Sequence, residues 1–298
     1  MRIFPAMAPD DVDSLRRILA SGEAMLFTGA GFSASAFATN GGTIPSTEEV
    51  TRAIWDLCFP DEPQDASTLT DLFHHASRKC PEELDALLKQ TLCVRGDGLP
   101  DFYGRWFSVP WRRVWTLNVD DIEVAAARRF ELPRRVESLS ALTQEFDERL
   151  LRPDVLPFIH LNGSVHDGIR HVTFSTTQYG RRLAQFDAWY ARFVKDLVTH
   201  PFVIVGTKLE EAPLWQSLQA SHGHAMDGEL AVCSAYIVST SLTRARRELL
   251  GDLGIRWLPW SAEEFAERVL SPPLPERRAP HDGLRDRDGE AHRLGLPA

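Results

Sequence analysis

The sequence predicts an α/β fold, a parallel sheet covered by helices on both faces, and three observations carry that reading. Short apolar runs recur at 24–27, 113–117, 155–161, 202–205, 235–238 and 255–258. Stretches with helical periodicity separate them. The first run also ends in a glycine turn, Thr28-Gly29-Ala30-Gly31-Phe32-Ser33. Strands buried on both faces read as continuous apolar runs, and the helices between them supply the crossovers that parallel pairing requires. The order of elements is that of a Rossmann-like sheet.

Each element has a local cause. Asp10 or Asp11 caps a first helix whose apolar positions, Val12, Leu15, Ile18 and Leu19, recur at helical spacing, and Gly22 stops it. Ser46 with Glu49 forms a capping box ahead of Val50, Ala53, Ile54 and Leu57, and Pro60 closes that helix. Leu69, Leu72, Phe73, Leu84, Leu87 and Leu88 continue in helical style, so residues of about 45–110 read as a helical insertion. The body of the fold is expected over 1–270. From Ser271 onward, prolines and dense charge without periodicity read as a loose tail, 271–298.

Composition narrows the function. The longest apolar runs, such as Phe202 to Val205, are too short to cross a bilayer, and Met1 to Asp10 lacks the apolar core of a signal peptide, so a cytoplasmic protein with no membrane partner is expected. Cys58, Cys80, Cys93 and Cys233 stand apart without a Cys-x-x-Cys pair, which excludes a zinc-ribbon module or dithiol motif built from local spacing and points to reduced, mostly buried thiols. A net charge of -9 opposes unspecific attraction to a polyanion, and the cluster Arg105, Arg112 and Arg113 reads as a solvated face.

Four segments at strand ends carry candidate chemistry. Small side chains in Gly29-Ala30-Gly31 let backbone N–H groups reach a pyrophosphate, although such a turn also serves plain helix–strand packing. The dehydrogenase fingerprint is incomplete, which disfavours hydride transfer. In Thr116-Leu117-Asn118-Val119-Asp120, Asn118 offers a donor and an acceptor and Asp120 accepts only, a pair able to orient ribose hydroxyls and water. The alternative is that both merely cap the helix beginning near Ile122. Alternation along the third run sets His160 and Asn162 on one face and Leu161 on the other, so both polar side chains are expected to face the crevice. Val205-Gly206-Thr207 closes a later strand in a small-residue turn suited to a ribose or adenine.

Taken in this order, the four segments resemble the sirtuin superfamily, whose members carry a Gly-Ala-Gly-x-Ser loop, a Thr-x-Asn-x-Asp segment, a His-Gly segment and a late Val-Gly-(Thr/Ser) turn. The resemblance runs from about residue 20 to 265. Ile44-Pro45-Ser46, Tyr179 and Leu209 to Leu214 further resemble bacterial sirtuin-like proteins of antiphage defence that degrade NAD. It implies NAD as substrate or ligand and no metal. It implies contacts to NAD from Gly29, Ala30, Gly31, Phe32, Ser33, Thr116, Asn118, Asp120, Gly163, Ser164, Gly206 and Thr207. The catalytic candidates are Asn118, Asp120, His160 and Asn162. In the family a catalytic histidine directly precedes Gly-Ser; Asn162 stands there instead, and an amide is no general base near neutral pH. His160, two residues earlier, is the alternative base.

The activity so implied is NAD hydrolysis to nicotinamide and ADP-ribose, in an oligomer or in a complex with a separate nucleic-acid-handling or phage-sensing protein. The alternatives are a catalytically silent subunit that binds NAD or ADP-ribose, and a zinc-independent protein deacylase.

Overall fold

The computed structural model describes residues 9–152, 154–184, 186–210, 214–215, 234–271 and 274. Helix α1 (Pro9–Ala20) leads into β1 (Met25–Thr28) and a single turn, α2 (Ala30–Ser33). The insertion supplies α3 (Thr47–Cys58), α4 (Leu69–Lys79), α5 (Pro81–Leu92) and α6 (Phe102–Ser108). The sheet resumes with β2 (Val114–Thr116), α7 (Ile122–Arg129), β3 (Arg135–Ser140), β4 (Val155–His160), α8 (Thr176–Leu183) and α9 (Ala188–Thr199). It ends with β5 (Phe202–Val205), β6 (Ala235–Val238), α10 (Arg244–Asp252), β7 (Ile255–Leu258) and α11 (Ala262–Phe265).

Seven parallel strands lie in the order β3-β4-β2-β1-β5-β6-β7. The chain moves outward from β1 through β2 and then returns to place β5 on the other side of β1, pairing Thr28 with both Thr116 and Val205. Such a reversal opens a crevice beyond the carboxyl ends of the two strands that flank it. Alternate strand residues divide between two cores. Leu26, Val114, Phe158, Val203 and Tyr236 face the insertion and α7, while Met25, Phe27, Trp115, Ile159 and Ile204 face α9. The expected capping box is present: Ser46 Oγ accepts from Glu49 N–H at 3.2 Å, and Glu49 Oε2 accepts from Ser46 N–H at 2.7 Å.

Three expectations need correction or completion. Strand β3 has no counterpart among the apolar runs, because Arg135–Ser140 is an edge strand whose outer residues remain exposed and polar. Arg113 is not part of a solvated face. It is buried and pairs with buried Asp196 at 3.0 Å, where Trp115 Nε1 and Arg192 Nε also donate. Cys58, Cys80 and Cys93 are free but only half-buried. Of the expected tail, only 271 and 274 fall within the described residues, and 211–213 and Cys233 lie outside them. Among the described residues, no helix is long and apolar enough to cross a membrane.

Candidate functional site

A cleft of about 810 Å³ opens over the carboxyl ends of β1, β2, β5 and β6, the position that the strand order dictates. It lies within the size range of small-molecule sites. Gly29, Ala30 and Gly31 line one wall, Gly206, Thr207 and Lys208 the next, and Asn118 and Asp120 the floor. Ser239-Thr240-Ser241 after β6, Ile44-Pro45 before α3 and the glutamates Glu48, Glu210 and Glu263 also line it.

The glycines first answer a packing demand. A Cβ on Gly29 would lie 2.6 Å from Thr207 Cβ, and one on Gly31 would lie 3.0 Å from Gly206 Cα. Gly206 itself has φ +74°, a left-handed conformation suited to glycine. The turns after β1 and β5 therefore touch backbone to backbone. Two amides are spent on that contact, Gly29 N–H donating to Val205 O at 2.9 Å and Gly31 N–H to Gly206 O at 2.9 Å, while Phe32 N–H donates within its own turn to Gly29 O at 2.8 Å. The ring of Phe32 is gripped edge-on by Tyr103 and Trp106 of α6, which ties the insertion to the loop.

Beside this wall, the Thr-x-Asn-x-Asp segment is set by hydroxyls. Thr28 Oγ1 donates to Thr116 Oγ1 at 2.8 Å, and Thr116 Oγ1 accepts from Asn118 N–H at 3.0 Å, which turns the chain back over the strand end. Asn118 Nδ2 donates to Gly29 O at 3.0 Å and to Ser33 Oγ at 3.1 Å. Because a carbonyl can only accept, the orientation of the amide is fixed. Asn118 lines the cleft, and its Oδ1 accepts no hydrogen bond among the described residues. Ser33, having accepted from Asn118, gives its own proton to Asp120. Burial pushes the Asp120 carboxyl up to about 7, against the hydrogen bond from Ser33 and with the help of the Glu123 charge. Asp120 Oδ1 also accepts from Ile122 N–H at 3.3 Å, so its capping role and its place in the cleft coexist.

His160 and Asn162 are placed differently. Both are buried, and neither lines the cleft. His160 Nδ1 lies 2.8 Å from Asn118 O, and its Nε2 lies 3.1 Å from Glu123 Oε1. Two acceptors require two N–H donors, so the ring is the imidazolium. Burial opposes that charge, but the Glu123 carboxylate and the two hydrogen bonds outweigh it and raise the pKa to about 9. Ser138 Oγ donates to the same Glu123 oxygen. A ring already protonated on both nitrogens has no lone pair with which to accept a proton. Its contribution to the site is to hold the Asn118 carbonyl.

Asn162 Nδ2 donates to Leu117 O at 3.2 Å, and Arg182 NH1 reaches its Oδ1 at 3.4 Å. Gly163 has φ +84°, and a Cβ there would collide with His171 O. Ser164 closes a capping box with Asp167. Thr116, Phe32, Ser33, Gly163 and Ser164 thus support the cleft from behind or stand outside it.

Three contributors escape a reading of motifs. Glu123, which fixes His160, lies one helical turn beyond Asp120 and carries no signal of its own. Arg182 reaches Asn162 and Leu161 O from α8. The hydroxyl run Ser239-Thr240-Ser241 did carry a signal, since it directly follows an apolar strand.

Comparison with known families accords with this geometry. Residues 112–258 match the SIR2-like domain. The matched SIR2-like segment begins just before β2 and ends with β7, so it holds Asn118, Asp120 and the turn after β5 but not the glycine loop after β1. SIR2-like proteins are generally NAD-dependent enzymes, and the match implies a function that involves NAD. No curated protein matches the chain.

Proposed function

We propose that the chain binds NAD in the switch-point cleft and hydrolyses it to nicotinamide and ADP-ribose. The observation that carries the proposal is the unspent Asn118 Oδ1 on the floor of a cleft walled by the two glycine turns, within a SIR2-like segment. The nicotinamide ring of NAD is a pyridinium cation and leaves the ribose as a neutral group. The difficulty therefore lies in an oxocarbenium-like ribose rather than in protonating the leaving group. Such a reaction rewards positioning and fixed dipoles more than a strong base.

In this reading Asn118 Oδ1 accepts from a ribose hydroxyl or from the attacking water. Gly29 O and Ser33 hold the amide in place, and His160 holds the Asn118 backbone from behind. Asp120, near the midpoint of its titration at neutral pH, fixes Ser33 and places negative potential beneath the developing cation. The tight contact between residues 29–31 and 206–207 provides a smooth wall along which the pyrophosphate passes.

A second reading has specific support. His160 is committed as an imidazolium and Asn162 is spent on Leu117 and Arg182, so neither supplies a base. That favours a subunit that binds NAD or ADP-ribose without turning it over. Incubating the pure chain with NAD and following free nicotinamide, with and without an acetylated peptide, separates these readings. Steady release without peptide supports the hydrolase, release only with peptide indicates deacylation, and calorimetric binding without release indicates the silent subunit. As a hydrolase, the chain would drain a cofactor its own cell needs, so we place it as a gated effector of antiphage defence that gains activity in an oligomer or with a sensor protein.

A further inference from the structure

We infer that Cys93, Asp121 and His166 form a binding site for a zinc-class divalent transition-metal ion. Their ligand atoms all lie within 4.8 Å of one another, and thiolate, carboxylate and imidazole are donors that tetrahedral zinc accepts. The residues come from the end of α5, the turn ahead of α7 and the helical turn Val165–Asp167, so the site exists only in the folded chain.

The surroundings fix the donors. Val94 N–H donates to Asp121 Oδ1 at 2.6 Å, while Asp121 Oδ2 lies 2.8 Å from His166 Nε2. Val165 N–H donates to Val119 O at 2.7 Å, which anchors the His166 turn to the Asn118–Asp120 segment. Backbone bonds that orient a ligating carboxylate tune a metal site and steady it. Asp121 is buried, Cys93 half-buried and His166 exposed, so an ion has both a fixed seat and a route from solvent.

Binding exchanges protons for the ion. The Cys93 thiol releases its proton to solvent and coordinates through sulfur. His166 gives up the Nε2–H bond to Asp121, carries its one remaining proton on Nδ1 and coordinates through Nε2, Asp121 coordinates through Oδ2, and water takes the fourth position. The immediate neighbours of two ligands, Leu92 and Asp120, line the cleft. The ion therefore acts at a distance from the reacting atoms, as a pin between the insertion and the cleft floor.

The test is titration of the whole chain, cleared of metal with a chelator and kept reduced, with Co²⁺ and then Zn²⁺. One equivalent of Co²⁺ is expected to give tetrahedral d–d absorption and a thiolate charge-transfer band, both removed by Zn²⁺. Cys93→Ser should abolish the charge-transfer band. His166→Ala, at an exposed position, should keep the fold by circular dichroism and weaken affinity by at least about 10-fold. Absence of saturable binding of both ions to the folded chain, a charge-transfer band unchanged in Cys93→Ser, or unchanged affinity in His166→Ala overturns the inference. None of these readouts depends on turnover of NAD.

Discussion

The ends of β2 and β4 look alike in the sequence, each an apolar strand that runs into polar residues two apart, yet they differ in what the fold leaves unused. At the end of β2, Asn118 lines the cleft, gives its amide hydrogens to Gly29 O and Ser33, and keeps an oxygen that accepts no hydrogen bond among the described residues. At the end of β4, His160 and Asn162 spend their polar groups on Glu123, Asn118 O, Leu117 O and Arg182. The lesson is that function attaches to the polar atom left over after the fold's own hydrogen bonds are made, not to the residue type most often seen in catalysis.

This contrast is sharpest at His160. His160→Ala leaves Glu123 buried with its charge unpaired, a change that costs about 3–5 kcal/mol by comparison with other broken buried pairs. We expect a large loss of thermal stability, with residual NAD binding in whatever fraction stays folded. A His160→Ala protein with an unchanged melting temperature and no turnover would make His160 a catalytic group and erase the distinction between the two strand ends.

Asn118→Ala is the reciprocal change. Here the expected loss is functional: nicotinamide release falls by about 100-fold, the scale set by removal of one preorganised polar group. Stability falls by only about 1 kcal/mol, because Gly29 O retains Phe32 N–H as a donor. Equal damage to folding and turnover in this variant would show that the floor is structural.

The pH dependence of stability separates the two ends by titration. Asp120 ionises near 7 when folded rather than at 3.8, so the folded chain holds an extra proton between those values, and the stability this gives is lost as pH rises toward 7. His160 titrates near 9 rather than at 6.5, so its contribution is fully present below 6.5 and is lost as pH rises through 9. Melting curves of the native chain should therefore fall in both windows. Asp120→Asn should flatten the acidic window and leave the alkaline one, and an identical profile in the variant would contradict the burial argument.

The smallest effect is expected from Asn162→His, the change that restores the family's usual residue. Because Asn162 lies behind the cleft against Leu117 and Arg182, nicotinamide release should change by less than about 3-fold, within the scatter of context for a residue that does not touch substrate. A gain of ten-fold or more, measured on folded protein, would place the β4 end at the substrate.

Much of the fold was legible because core strands are written as apolar runs, and six of the seven strands announce themselves in that way. Strand β3 does not, since this edge strand carries polar residues at Arg135, Glu137 and Ser138, with Arg135 and Ser138 exposed. Alternation set His160 and Asn162 together on the crevice face, but β4 ends at His160, neither side chain lines the cleft, and Glu123, 37 residues earlier, claims the ring. The same limit applies to the glycines: Gly29 and Gly31 read as a phosphate turn, and only the approach of Gly206 and Thr207 shows how much of that requirement is packing. Arg113 and the Cys93, Asp121 and His166 cluster likewise acquire meaning from partners that no local spacing encodes.

The most direct test of the central claim is calorimetric titration of NAD into the native chain, Asn118→Ala and Asn162→Ala, each checked for folding. We expect saturable one-site binding that is lost or weakened by at least about 10-fold in Asn118→Ala and retained in Asn162→Ala, because of the two only Asn118 lines the cleft. Unchanged affinity in Asn118→Ala, or loss confined to Asn162→Ala, would contradict it.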